Sequence, residues 1–479
     1  MKVPPSGYLA TIKSSVRELV AILRRDFPYV SILTTDSSGM RYSVSKRAVD
    51  VRQSAWCERG SVVRIHDGLR YHEYSFNDLN AEGGRDREAL AEEIRRRVRH
   101  SAAFSGRVEF GIPELPAISE QALDASWCGE VEILPETASV EQIVSRLSRL
   151  KDLAFERSEH LVEIEIRFEH MRVAKLFVSE KRQLEQSYDW AQGYLIPVVR
   201  RDEILREMFA TFSGLKGVEL IDELEQALPQ TIDCAEQLLD AGRIEPGEYE
   251  VILSPKVAGL MAHESFGHGV ELDMFVKNRA KAEEYLGKRV ASGMVNLHDG
   301  ARAAEETGSY WFDDEGVLGS DTVVIEKGIF KAGISDLLSA LRLNTVPTGN
   351  GKRESFERKA YARMTNTFFM AGSDSLEQMI ASIEHGYLLE EFLSGMEDPK
   401  NWGIQGQILY AREIREGKLS GRIVSPVLMF GYVPDVLQSV SMLSGQVQRS
   451  GSGMCGKGHK EYVKNSSGGP YIKTVMRLG

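Results

Sequence analysis

The run His263-Glu264-Ser265-Phe266-Gly267-His268 restricts this chain more than any other stretch of it. Two imidazoles and a carboxylate fall within one short segment, directly after residues Val257, Leu260 and Met261, which have helical spacing. Imidazole nitrogen is a good ligand for zinc, and a carboxylate that stays off the metal can take a proton from attacking water. The common helical arrangement sets its two His four residues apart, on one face. Here they stand five apart, which at about 100° per residue puts them roughly 140° apart around an ideal helix. A shared metal then requires a locally widened turn of the π-bulge kind. Gly267, just before the second His, is the residue type that best tolerates such a distortion.

Length and composition set the frame. A chain of 479 residues is long for one core, so two or more domains are expected. The net charge of -11 argues against nucleic acid as the main partner, because that binding is dominated by Lys and Arg on phosphate. Apolar runs fall short of the ~20 residues that span a bilayer, so no membrane partner is expected. The start, Met1-Lys2-Val3-Pro4-Pro5-Ser6-Gly7, lacks the apolar core of a secretory signal. Cys57, Cys128, Cys234 and Cys455 are scattered, unlike a disulfide framework, and fit a reducing cytoplasm.

The pattern predicts an α+β chain. Residues 1–227 form an N-terminal α/β region in two parts, divided near 105–130, and 228–479 form a largely antiparallel β domain that carries the metal-binding helix. A helix over Leu9 to Phe27 leads into a meander with strands Val30–Thr35, Arg41–Val51, Ser61–His66 and Tyr71–Phe76. Its turns are expected at Asp36-Ser37-Ser38-Gly39, Glu58-Arg59-Gly60 and Asp67-Gly68. The arginine-rich helix from about Arg85 to His100 reads as a solvated face beside Glu92 and Glu93. A helix follows over Val140–Arg157, then strands Leu161–Glu169 and Arg172–Ser179 around His170-Met171. Further helices are expected over Arg201–Phe212 and Leu220–Asp240, with Gly242 as a C-cap. Next come strand Tyr249–Leu253 and an N-cap at Ser254-Pro255. Beyond the His-Glu run the chain is strand-rich, with hairpin turns at Lys327-Gly328 and Glu416-Gly417.

A hydrolytic zinc site usually has three protein ligands and one open position. His263 and His268 supply two. Cys455, in the glycine-lined run Arg449 to His459, and His459 itself compete for the third. Glu271 and Asp273 are near enough in sequence to be ligands or to support one. Polar runs around Asn350 and Arg363-Met364-Thr365-Asn366-Thr367 read as turns, or as groups that hydrogen-bond an extended peptide.

Taken together, the runs His263 to Asp273, Asp313-Asp314-Glu315-Gly316, Thr348-Gly349-Asn350, Arg363 to Thr367 and Gly453-Met454-Cys455-Gly456-Lys457 appear in an order that resembles the TldD half of the TldD/TldE (PmbA) metalloprotease family. The likeness is specific from about Gly247 to Lys457 and only architectural before that. It implies a cytoplasmic zinc peptidase acting on unfolded or extended peptides. His263, His268 and Cys455 would be the metal ligands and Glu264 the general base. It also implies an enclosed cavity in a two-subunit particle, either a homodimer or a heterodimer with a TldE/PmbA-like subunit. Asn350, Arg363, Thr365 and Asn366 are the expected substrate-binding residues. The family's glycine- and valine-rich tail is replaced here by Asn465-Ser466-Ser467-Gly468-Gly469-Pro470-Tyr471. The rival reading is a non-catalytic regulatory or binding subunit with a structural zinc, which would need a fourth protein ligand.

Overall fold

Long strands organise the N-terminal half. In the computed structural model, which describes residues 1–77, 79, 86–105, 114–458 and 460–479, the segment Tyr29–Val44 is one continuous strand. The turn expected at Asp36–Gly39 does not form, because tertiary contacts outweigh the local turn preference. Asp36 is held by Ser6 Oγ at 2.6 Å and Arg59 Nε at 2.9 Å, and its backbone pairs with strands on both sides. Leu161–Ser179 likewise runs straight through His170-Met171, paired to Gly39 and Met40 on one side and to Trp190 and Ala191 on the other. The helix expected over Arg201–Phe212 is instead two short strands, Ile204–Glu207 and Ala210–Gly214, folded back on the long strand Arg182–Arg201 after a turn at Asp202.

These strands join one sheet in the order Tyr71–Phe76, Glu58–His66, Tyr29–Val44, Leu161–Ser179, Arg182–Arg201, Leu123–Cys128. The two parts expected of the N-terminal region therefore share a sheet, since Tyr29–Val44 pairs directly with Leu161–Ser179. The division near 105–130 falls partly outside the described residues. Helices Gly7–Leu23 and Arg87–Ser105 cover one stretch of the sheet with Leu9, Ile12, Val16 and Leu90. Helices Val140–Arg157 and Leu220–Leu238 cover another with Ile143, Leu147, Leu224 and Leu228. The expected boundary at 227/228 lies inside the second of these, which buries one face continuously on the N-terminal sheet. Its C-cap is Leu239, and the Gly242 N–H bonds Ile423 O at 2.8 Å instead of ending the helix.

The C-terminal half is mainly antiparallel β, and the architecture as a whole is α+β. Strand Gly247–Leu253 pairs with His385–Asp398 and with Ile472–Leu478. Gly403–Arg415 and Val427–Tyr432 complete a closed ring of five strands. A second, six-stranded sheet contains Leu297–Asp299, Asn366–Phe369 and Ser466–Gly469. Lys327-Gly328 and Glu416-Gly417 sit at hairpin tips, with φ between 46° and 78°.

Between ring and sheet lies helix Pro255–Phe266, started by Ser254 Oγ, which accepts the Val257 N–H at 3.5 Å. It packs on strand Ser466–Gly469 at backbone contact. A Cβ on Gly259 would lie 2.8 Å from Gly468 N, and one on Gly469 would lie 2.9 Å from Ala258 Cβ. The tail segment that departs from the family pattern is thus the surface against which the helix is seated.

In an exposed helix, Gly→Ala is stabilising by about 1 kcal/mol. Gly259→Ala should do the reverse and cost about 1–3 kcal/mol, because the neighbour is backbone and cannot turn aside. Urea or thermal unfolding checks this. An unchanged or raised midpoint would show that the helix and strand are not packed this closely.

Candidate metal centre

Helix Pro255–Phe266 ends one residue before Gly267, and a tight turn, His268–Val270, follows. No π-bulge forms. The two His are brought to one side by stopping the α-helix between them, with Gly267 at φ -94° and ψ -76°. A Cβ there would lie 2.1 Å from Met364 Sδ and 2.2 Å from His263 O, so the position has no room for a side chain.

The second half of the site comes from far along the chain. Cys455 Sγ lies 3.2 Å from His263 Nε2 and 3.4 Å from His268 Nε2. The three ligand atoms all fall within 4.8 Å of one another. In a tetrahedral zinc site with bonds of 2.0–2.3 Å, nitrogen and sulfur would be about 3.5 Å apart. The donor set and its spacing therefore fit zinc. His459, the rival third ligand, lies outside the described residues.

Each ligand is oriented by a neighbour. The Asn465 side-chain amide lies 3.1 Å from His263 Nδ1, and its oxygen and nitrogen can exchange by a flip. His268 Nδ1 faces Glu271 Oε2 at 3.5 Å. A carboxylate behind a ligating imidazole fixes its tautomer and raises its basicity. Glu271 is held in turn by Lys457 Nζ at 2.8 Å and Arg363 Nε at 3.3 Å. Arg363 also donates through Nη2 to Cys455 Sγ at 3.0 Å and to Cys455 O at 2.9 Å. Lys457 bonds Asp273 Oδ1 at 2.6 Å. Glu271 and Asp273 are thus supports and not ligands in this geometry.

Electrostatics follow from these contacts. Burial disfavours the Cys455 thiolate, yet the two imidazoles lower its pKa well below the usual thiol range. Burial likewise opposes the charged form of His268, but Cys455 and Glu271 raise its pKa well above normal, and His263 is raised in the same way by Cys455. Burial raises Glu271 too, but Lys457 and His268 outweigh it and bring it well below its ordinary range.

Glu264 is buried and lines the same cleft as His263 and Cys455, a space of about 280 Å³ that also touches Tyr194, Lys256 and Phe392. Sequence reasoning missed Asn465, Lys457 and Glu397. Glu397 accepts the Gly269 N–H at 3.1 Å, and burial holds its carboxyl well above the ordinary pKa. It sits on a hairpin, in a segment with no local signal of a site.

Of the four expected substrate-binding residues, Arg363 touches Cys455 and the other three make internal contacts around Asp299 and Gly300. Asn350, Thr365 and Asn366 are fully buried and spend their hydrogen bonds internally. Asn350 Nδ2 donates to Asp299 Oδ1 at 2.7 Å, and Thr365 Oγ1 donates to the same oxygen at 2.9 Å. Asn366 Nδ2 donates to Gly300 O at 3.0 Å. These residues brace the loop after Leu297–Asp299, and Arg363 braces Cys455. None of the four faces open space.

Residues 246–475 match the model of the PmbA/TldA metallopeptidase C-terminal domain. A metalloprotease of Synechocystis sp. is 26% identical over 471 residues, 97% of each chain. A metalloprotease TldD homolog of Buchnera aphidicola subsp. Schizaphis graminum is 34% identical over 215 residues, 44% of each chain. The C-terminal half of this chain belongs to the TldD/PmbA family. A zinc metalloprotease TldD homolog of Saccharolobus solfataricus is 27% identical over 299 residues, 62% of this chain and 66% of that one. The match thus spans one metalloprotease relative almost completely and others over about half to two thirds of their length. Two solved structures share the fold. A Thermotoga maritima protein described as a candidate modulator of a DNA gyrase gives a TM-score of 0.78 at 16% identity, over 98% of this chain and 100% of that one. TldE from Thermococcus kodakarensis gives 0.71 at 19% identity, over 95% and 99%. The His263, His268 and Cys455 cluster lies wholly within the stretch that matches the family's C-terminal domain.

Zinc uptake must displace the protons that the imidazoles hold against the thiolate. Calorimetric titration in buffers of different ionisation enthalpy should therefore show proton release, with affinity falling as the pH is lowered. Asn465→Ala should weaken zinc binding about 10–100-fold. Cys455→Ser should weaken it more, while Ser at Cys57, Cys128 or Cys234 should leave it intact. Full metal content in Cys455→Ser would move the third ligand elsewhere.

Proposed function

We propose that this member of a metalloprotease family is a TldD-type zinc peptidase that cleaves extended peptides. The convergence of His263, His268 and Cys455, beside a cleft that His263, Cys455 and Glu264 line, carries the reading. Held by those three ligands, zinc would supply Lewis acidity toward a carbonyl oxygen and acidify water. Glu264 accepts the proton of the attacking water and returns it to the leaving amine. Glu271 and Asn465 keep the two imidazoles in the tautomers that leave Nε2 free to ligate. Arg363 neutralises the thiolate and keeps it turned inward.

The surroundings favour a main-chain substrate. Strand Gln448–Ser450 is an edge of the six-stranded sheet, paired to Ser466–Gly469 on one side, and it runs directly into the cleft-lining segment 450–455. An extended peptide laid along this edge gains backbone hydrogen bonds and is positioned by its main chain. Specificity should then be loose, and folded domains should be excluded. A second copy or a TldE-like subunit would enclose the cleft, a partner suggested by the family and by the likeness to a TldE fold. Zinc is supported by the donor set and by the name of one relative. The four cysteines are unpaired, which fits a reducing cytoplasm. Among the described residues no helix is long and apolar enough to cross a membrane. A structural zinc site would be closed by four protein ligands. Among the described residues three converge.

Glu264→Gln should keep zinc and lose peptide hydrolysis by about 10²–10⁴-fold, the usual worth of a positioned acid–base group. Metal analysis and cleavage of an unstructured peptide check this together. Retained activity would remove Glu264 from the mechanism. Equal cleavage of a stable folded protein and its denatured form would remove the extended-chain substrate.

A further inference from the structure

The metal cleft does not end at its own walls. Tyr194, Gly453 and Met454 line it, and the same three residues line a larger cavity of about 580 Å³ on the face of the N-terminal sheet. Strand register explains what that cavity presents. Arg52, Arg41, Glu169 and Gln192 lie opposite one another across four adjacent strands, and Ser43, Arg167 and Tyr194 form the row beside them. Side chains two apart on a strand share a face, so both rows point the same way.

Among the described residues, one guanidinium of this cavity lacks a directly bonded carboxylate. Three guanidiniums, Arg41, Arg52 and Arg167, share it with one carboxylate, Glu169. Glu169 is already committed, accepting from Ser54 Oγ at 2.5 Å and from Gln192 Nε2 at 2.6 Å. Arg167 is bound by Glu165 through both nitrogens at 2.5 Å. Arg52 has a loose pair with Asp50 at 3.4 Å, both well exposed. The Arg41 guanidinium is partly buried and forms no hydrogen bond or ion pair with a described residue. Arg41 and Arg52 are direct cross-strand partners, and like charges in that position are destabilising. Arg41 also lies across from Glu169 and within the field of Glu165, but neither carboxylate bonds its guanidinium, so a bound anion would take the place of a direct partner.

We propose that Arg41 and Arg52 bind a carboxylate of the peptide substrate, seated in the cavity that continues the metal cleft past Tyr194. This rests on the peptidase reading above and names the class of substrate that the site prefers. Two strand spacings of about 4.8 Å and two residues along the strand separate Arg41 from Tyr194. The distance is therefore about 12 Å, which an extended peptide covers in three or four residues. The carboxylate is either the C-terminal α-carboxylate or an acidic side chain at that remove. A guanidinium suits it because its planar donors match a carboxylate in pairs.

Binding is the readout, so the test does not depend on turnover. Zinc-loaded full-length Glu264→Gln protein is titrated with fluorescein-labelled eight-residue unstructured peptides and followed by anisotropy. One arm compares a free C-terminus with its amide, and the other compares internal Glu with Gln. In at least one arm the carboxylate form should bind about tenfold tighter, as expected of a charge-assisted hydrogen bond. The advantage should shrink at high salt. In Arg41→Gln/Arg52→Gln the ratio should fall to about one, with Arg41→Lys intermediate. Arg52→Gln alone, at an exposed position, serves if the double variant fails to fold. Equal affinity for carboxylate and neutral peptides in both arms overturns the proposal, as does an undiminished ratio in the variants. Failure of the wild type to cleave any peptide would instead overturn the peptidase reading and leave this comparison standing.

Discussion

A buried thiolate needs cations around it, and Cys455 has three: His263, His268 and Arg363. The first two belong to one short stretch and the third to another, and all lie far from Cys455 in sequence. Within this cluster the imidazoles favour the thiolate, and the thiolate favours the charged imidazoles. A bound zinc would compete with protons for the imidazoles and would take the same three atoms as ligands. Either state requires the segment carrying Cys455 to sit against the end of helix Pro255–Phe266. The rest of the structure can be understood as what holds those two segments at that separation.

Three devices do so. Helix and strand are seated at glycine contact, Gly259 against Gly468, which fixes the height of His263 above the sheet. Lys457, two residues beyond Cys455, is anchored on Glu271 and Asp273, three and five residues beyond His268, so both ends of the site share one ion cluster. The segment 451–453 is held from the other domain. Gly451 N–H donates to Ser213 Oγ at 2.7 Å, and Gly453 N–H to Gln192 Oε1 at 2.8 Å. Removing one partner of such buried charged pairs leaves an uncompensated charge, at a cost of about 3–5 kcal/mol. The expected result is a site that is either assembled or lost, with few intermediate geometries.

What the sequence made legible was chemistry of short range. The clustering of His263 and His268 beside Glu264, the N-cap at Ser254 and the hairpin tips at Lys327-Gly328 and Glu416-Gly417 all follow from residues within a few positions of one another. The order of motifs supplied the family and, through it, Cys455. Three kinds of information were out of reach. Strand continuity through Asp36–Gly39 and through His170-Met171 depends on partners more than a hundred residues away, which override turn propensity. The strands at 204–214 look helical because their apolar residues serve a sheet edge, not a regular face. The polar runs around Asn350 and Asn366 gave the right residue types for binding a backbone. The backbone they bind is the protein's own: Asn350 Nδ2 donates to Arg363 O and Asn366 Nδ2 to Gly300 O. Periodicity cannot tell a polar group facing a ligand from one facing a buried loop.

The same distinction accounts for the run Asp313-Asp314-Glu315-Gly316. In the fold it is the plug by which the C-terminal half docks on the N-terminal sheet. Asp314 pairs with Lys175, Glu315 with Arg64 at 2.5 Å, and Gly316 lies against the Phe177 ring, where a Cβ would be only 2.5 Å from ring carbon. Buried ion pairs of this kind add little net stability, but they penalise any other register of the two surfaces. Register matters here because Gln192 and Ser213, which hold the cysteine segment, belong to the same sheet as Lys175 and Arg64. A slip of one residue would turn each of these side chains to the opposite face. Docking and metal-site assembly are therefore one event. The sheet face that supports the Cys455 segment is also the surface onto which the cleft continues past Tyr194, so the N-terminal half both positions Cys455 and walls the space beside it.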